Sequence, residues 1–186
     1  MRRRTALFTI FGAFALAGCA TPRLDAGLEE PFDPTRYRLA SGDRLRVIVF
    51  GQDNLSNIYA VDPAGAVTMP LIAAVEVRGL TTREAADRIA GRLRSGFIRE
   101  PRVTVEVDTY RPFFILGEVN QAGQYPYVAG LTVETAVAIA GGFTPRAVRS
   151  SATISRPVGG EIKRFSVPAD HPVRPGDTVM VRERWF

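Results

Sequence analysis

Residues 37–80, YRLASGDRLRVIVFGQDNLSNIYAVDPAGAVTMPLIAAVEVRGL, hold the densest strand and turn signals in the chain. Ser41-Gly42-Asp43 is a turn: Gly tolerates the backbone angle and Asp can bond to N–H groups beyond it. Leu45, Val47 and Val49 then alternate with Arg44, Arg46 and Ile48, the period of a strand with one face more deeply buried. A second alternating segment ends at Tyr59 and Val61. Asp62-Pro63-Ala64-Gly65 follows with Pro and Gly where a type I turn takes them, and Val67, Met69 and Leu71 lead back out. This predicts a hairpin turning at 62–65.

Past Val75 and Val77 the period changes from two to 3.6. Thr81-Thr82-Arg83-Glu84 is a capping-box sequence and opens a helix. Ala85, Ala86, Ile89, Ala90 and Leu93 share one face, Arg83, Asp87, Arg88, Arg92 and Arg94 fall largely on the other, and Gly96 is a natural stop. The arginines read as a solvated face, with a subunit contact as the alternative. Pro101 opens a strand that turns Val103, Val105 and Val107 to one side. The first domain thus closes near Asp108, and Tyr110-Arg111-Pro112 is a linker.

A second unit begins with the apolar strand Phe113 to Val119. Gln121-Ala122-Gly123-Gln124-Tyr125 turns back into a short strand, and Thr132 caps a helix with Val133, Ala136, Val137 and Ala140 inward, stopped by Gly141-Gly142. Strands are expected at Thr153–Arg156, Glu161–Val167 and Thr178–Val181. The fold class is α+β, a small mixed-sheet domain followed by a sheet clasping one helix, a β-grasp arrangement. Gly42-Asp43 and Gly176-Asp177 both lead into alternating apolar residues. The echo reads as one turn-into-strand device used twice, a repeated binding loop being the alternative.

The order Tyr37-x-Leu39, Gly42-Asp43-x-Leu45, Phe50-Gly51, Val61-Asp62, Gly65, Pro70-Leu71-Ile72 and Gly79-Leu80-Thr81 resembles the N-terminal domain of the bacterial polysaccharide biosynthesis/export proteins, the Wza-type outer-membrane export lipoproteins. Ser41 stands where that family usually has Pro, and Ala73 where it usually has Gly; both are turn positions. Gly117-Glu118-Val119, Gly123-x-Tyr125, Thr132 and Ala140-Gly141-Gly142 resemble the soluble-ligand-binding β-grasp (SLBB) domain that follows it in the family, with Ala122 where Pro is frequent. The resemblance implies a polysaccharide export domain over 37–108 and an SLBB domain over 111–181, with 182–186 a short tail.

Upstream, Arg2, Arg3 and Arg4 precede an uncharged apolar run from Ala6 to Ala17, the length of a signal-peptide core and short for a membrane span. Leu16-Ala17-Gly18-Cys19 resembles the bacterial lipobox, which implies a lipoprotein signal peptide over 1–18, lipidation of Cys19, and a lipidated tether over 19–36. A conventional signal peptide with an incidental cysteine, or a short buried N-terminal helix, fits the same run. Cys19 is the only cysteine, so it forms no internal disulfide. Ala20 after the cysteine resembles outer-membrane sorting, which places the lipid anchor in the outer membrane with the domains facing the periplasm. Without Arg2–Arg4, 21 of the 24 basic residues stand against 19 acidic ones, which gives no support for nucleic acid as a partner.

No catalytic constellation emerges. The single histidine, His171, lies between prolines; there is no His cluster for a metal, no nucleophile elbow and no phosphate-cradling or dinucleotide loop. Glu118, Glu134 and Asp177 are scattered carboxylates. The expectation is a protein that is not an enzyme, with no cofactor and no metal. The family resemblance implies a ring-forming homo-oligomer, a conduit for capsular polysaccharide or exopolysaccharide. The longest Wza-type proteins end in a helix that crosses the outer membrane. The mostly charged Arg182 to Phe186 cannot span where about 20 apolar residues are needed. A separate outer-membrane β-barrel and an inner-membrane chain-length co-polymerase are the expected partners. Tyr37-x-Leu39-x-x-Gly42-Asp43-x-Leu45 also resembles the opening of a LysM module, which binds peptidoglycan, but there a helix should soon follow.

Overall fold

A computed structural model describes residues 33–185. The apolar run, Cys19, most of the tether and Phe186 lie outside the described residues.

The first unit contains β1 (Arg44–Val49), β2 (Asn57–Ala60), β3 (Ala66–Met69), β4 (Ala73–Glu76), α1 (Thr82–Arg94) and β5 (Val103–Thr109). β1 lies between β2 and β5, antiparallel to both. Its Leu45, Val47 and Val49 are buried and Arg44, Arg46 and Ile48 exposed. Thr81 caps α1 with its side chain on the Glu84 N–H, and Glu84 reaches back to the cap. Ala85, Ile89 and Leu93 of α1 are buried with the apolar face of the sheet and with Val67, Met69 and Val75. No α-helix follows β1 before Thr82, so the element order of a peptidoglycan-binding LysM module is not met.

The expected hairpin across 62–65 is corrected. Its turn is present, with Gly65 N–H donating to Asp62 O at 2.9 Å and Ala66 N–H to the Asp62 carboxylate at 2.9 Å. The flanking strands do not pair with each other. β2 is committed to β1, and Gly42 N–H to Val61 O and Val61 N–H to Asp43 O extend that pair to the turn. β3 pairs with β4 as a separate two-stranded sheet, and Val77 and Arg78 N–H both close on Gly65 O at 2.9 Å. The β3–β4 connection holds Leu71 at φ 71° and Ala73 at φ 54°, the left-handed region where a Cβ is costly. Ala73→Gly is therefore expected to raise stability, by about 0.5–1 kcal/mol after the added entropy of glycine is deducted; the denaturant midpoint measures it.

The second unit contains β6 (Phe113–Gly117), β7 (Gly123–Tyr125), α2 (Val133–Ile139), β8 (Ser151–Val158), β9 (Glu161–Pro168) and β10 (Thr178–Val181). The sheet order is β7-β6-β10-β8-β9, with β6 and β10 parallel and every other pair antiparallel. The first and last strands run side by side at the centre of a mixed sheet, each flanked by its own hairpin: this is the β-grasp order. β8 extends beyond the expected Thr153–Arg156 because it pairs along its whole length with β9. Thr132 caps α2, whose Val133, Ala136 and Val137 are buried with Phe113, Ile115, Ile154 and Val179.

Candidate functional site

The two Gly-Asp echoes are one device. Ala40 N–H donates to the Asp43 carboxylate at 2.8 Å while Asp43 N–H returns to Ala40 O; Arg174 N–H donates to Asp177 at 2.7 Å while Asp177 N–H returns to Arg174 O. Each glycine takes positive φ, 93° at Gly42 and 83° at Gly176. Both carboxylates are fully buried.

Both turns also face the same side chain, Arg111 of the linker. Arg111 N–H donates to Asp43 at 2.9 Å, and its guanidinium donates to the Tyr37 hydroxyl at 2.8 Å. That hydroxyl in turn lies 2.8 Å from each Asp43 carboxylate oxygen, and burial beside this carboxylate holds its pKa well above the usual tyrosine value. A Cβ on Gly176 would come 2.5 Å from Arg111 Nε, and one on Gly42 3.4 Å from Arg111 Cβ. Gly176 N–H donates to Pro112 O at 3.1 Å. Edge-to-face contacts run from Tyr37 to Tyr110 at 5.0 Å and from Tyr110 to Tyr127 at 5.6 Å, carrying aromatic packing from the first core into the second. Burial pushes the Tyr127 hydroxyl up to about 12. The linker is therefore a clamp, with one strand-entry loop of each domain held against Arg111.

The polar heart of the second unit continues from there. Arg156 donates to Asp177 through Nε at 2.8 Å and Nη2 at 2.7 Å, and its guanidinium lies 5.5 Å from the Phe165 ring centre. His171 is buried nearby, and its carbonyl accepts from Val133 N–H at the start of α2. Burial, with Arg156 and Arg174 adding to it and Asp177 and Asp170 opposing, lowers the His171 pKa. A histidine whose folded pKa lies below its unfolded value contributes stability above the unfolded value, about 6.5, and loses it as pH falls through that value toward the folded one. Thermal midpoints are expected to drop between pH 7 and 5, and the slope to flatten in His171→Gln; an unchanged slope contradicts this assignment.

His171 thus sits in a structural cluster rather than in a site open to substrate. Glu118 accepts from the Thr144 hydroxyl and pairs with Arg146 at 3.3 Å, Glu134 is exposed in the first turn of α2, and Asp177 is buried. The structure does not bring these three carboxylates together. Among the described residues no group of His, Cys, Asp and Glu is placed to hold a metal ion, and no helix is long and apolar enough to cross a membrane. Tyr37 shows in the sequence only as part of the strand-entry pattern and Arg111 only as a linker residue, and Tyr127 and Arg156 carry no signal of their own; the repeated Gly-Asp pair is the feature that leads to them.

Residues 32–108 match the family model described as polysaccharide biosynthesis/export protein, and residues 112–166 match the SLBB domain. The chain is also 32% identical over 136 residues to the "Exopolysaccharide production protein ExoF" of Rhizobium meliloti (strain 1021), an alignment covering 72% of this chain and 32% of that protein. The chain belongs to the polysaccharide biosynthesis/export protein family. It spans about a third of the length of that relative. Arg111 and Pro112 stand where the export match gives way to the SLBB match. The SLBB match stops at 166, whereas the sheet is completed by β10 at its centre.

Proposed function

We propose that the protein is a periplasmic component of a polysaccharide export channel, attached to the outer membrane through lipidated Cys19 and assembled into a ring that conducts capsular polysaccharide or exopolysaccharide. The observation that carries this is the tandem of an export domain and an SLBB domain in one chain; the similarity to a protein named for exopolysaccharide production adds to it. A ring of two-domain subunits needs a fixed angle between the domains, and the Arg111 clamp supplies one. Exposed Phe50 and Phe97 on the first unit and Ile162 on the β8–β9 hairpin offer apolar contacts for neighbouring subunits. An outer-membrane β-barrel above and an inner-membrane chain-length co-polymerase below complete the path. The chain itself performs no reaction in this scheme.

Deleting the gene is expected to reduce secreted polysaccharide to background, with recovery on return of the wild-type gene. Cys19→Ser should shift the protein out of the membrane fraction and lower secretion, and the native assembly purified in detergent should have the mass of a discrete oligomer. Unchanged secretion in the deletion strain overturns the proposal.

A further inference from the structure

Beyond β10 the chain leaves the sheet but stays extended. Val148 N–H donates to Arg182 O at 2.9 Å and Arg184 N–H to Arg146 O at 2.7 Å, with Glu183 opposite Ala147. This pinned segment forms one wall of a surface groove of about 590 Å³, lined by Gly117, Glu118, Val148 and Met180 to Trp185, a size common among small-ligand sites. Trp185 is 87% exposed, more than any other large apolar side chain among the described residues. Met180 is half-exposed beside it, with Leu116 as its neighbour on β6.

The charges in the groove are unequally paired. Glu118 and Glu183 both bind Arg146, each at 3.3 Å. Arg182 donates to the Ser151 hydroxyl at 3.2 Å, and neither Arg182 nor Arg184 has an acidic partner among the described residues. An indole, a thioether and two guanidinium groups without carboxylate partners therefore line one open groove.

We infer that this groove binds a segment of an acidic polysaccharide, with Trp185 stacking on a sugar ring and Arg182 and Arg184 taking its carboxylates. A pyranose ring presents polarised C–H bonds on one face and hydroxyls around its rim. The C–H face suits the electron-rich face of an indole, and a uronate carboxylate suits a guanidinium through charge-assisted hydrogen bonds. An apolar peptide would leave the two arginines unmatched. The contact is open to water on one side and hence weak, as a moving polymer requires. The assignment rests on the export function proposed above.

Trp185 is the only tryptophan in the chain, so the emission of the full-length protein excited to the red of tyrosine absorption reports on this groove alone. Titration with oligogalacturonates is expected to give a saturable change in emission, weakened by added salt. Neutral maltooligosaccharides should give a much smaller one. The Arg182→Gln, Arg184→Gln double variant should bind about tenfold or more weakly, the loss of charge-assisted bonds at an exposed site, and Trp185→Ala should abolish the calorimetric signal. No response to either sugar, or equal responses to both, overturns the inference. So does an emission change that follows protein concentration without sugar and accompanies a doubling of mass, because a second copy then fills the groove. Secretion measured in the deletion strain separates the two claims: secretion that depends on the gene without any sugar response removes the groove and leaves the export function, whereas secretion that ignores the gene removes both.

Discussion

Asp177→Ala is expected to destabilise the SLBB unit by about 3–5 kcal/mol, the range for removing one partner of a buried ion pair. Asp177 is fully buried and takes three hydrogen bonds, two from Arg156 and one from Arg174 N–H. Once the carboxylate is gone, Arg156, only 5% exposed, retains a contact to Pro172 O at 3.4 Å and the face of Phe165. Its Nη1 already lacks a partner among the described residues. The charge is left in a low-dielectric interior, and the turn before β10 keeps its backbone bond to Arg174 O but loses the side-chain bond from Arg174 N–H. Against a domain stability of about 5–15 kcal/mol, the loss is a large fraction of the total. Asp43→Ala removes the same turn bond but leaves Arg111, whose side chain is 24% exposed and can be solvated, so its cost is expected to be smaller. Denaturant midpoints of both variants check the ranking, and an Asp177→Ala loss under about 1 kcal/mol, the scale of an exposed pair, contradicts the assignment. In the Arg156→Met, Asp177→Leu double variant most of the loss should be recovered, because no buried charge remains.

What could be read from the residues follows the range of the interactions. Thr81 with Glu84 and Thr132 with Thr135 act within one helical turn, so both helix starts were legible. The alternation of Leu45, Val47 and Val49 is likewise local, and burial follows it residue by residue. The turn at Asp62-Pro63-Ala64-Gly65 was legible too, but the partners of its flanking strands were not. That choice is made by Asp43 and Val61 on one side and by Gly65 with Val77 on the other, contacts that bring the ends of the segment together. The junction lies furthest from sequence reasoning: Arg111 reaches partners 68 and 74 positions away, and three linker residues carry no periodicity to announce it. The Gly-Asp echo exposed half of it, the repeated turn, without its convergence on one arginine. The roles of Glu118 and Asp177 were hidden differently, since a carboxylate in sequence shows its charge and not whether an arginine already holds it.

Gly117→Ala is expected to cost the SLBB unit about 3 kcal/mol or more, from adding the left-handed backbone penalty to overpacking against rigid atoms. Gly117 ends β6 at φ 87°, and a Cβ there would overlap the carbonyl oxygen of Val181 on the parallel neighbour β10. That oxygen accepts from Glu118 N–H at 3.0 Å, so it cannot swing away without giving up a bond that joins the first and last strands of the unit. Flexible Met180 Sδ, 3.1 Å from the same point, could move; the carbonyl could not. Gly130 provides the control, with a similar φ of 82° and nothing within 4 Å of its Cβ position. Gly130→Ala should therefore lose only the backbone part, about 1–2 kcal/mol. Equal losses at the two positions contradict the steric account, whereas a larger loss at Gly117 with protection of β6 and β10 amides reduced together in hydrogen exchange bears it out. Gly117 is thus required by the closeness of the two central strands, which are also the strands that place Glu118 and Met180 along the groove of Trp185.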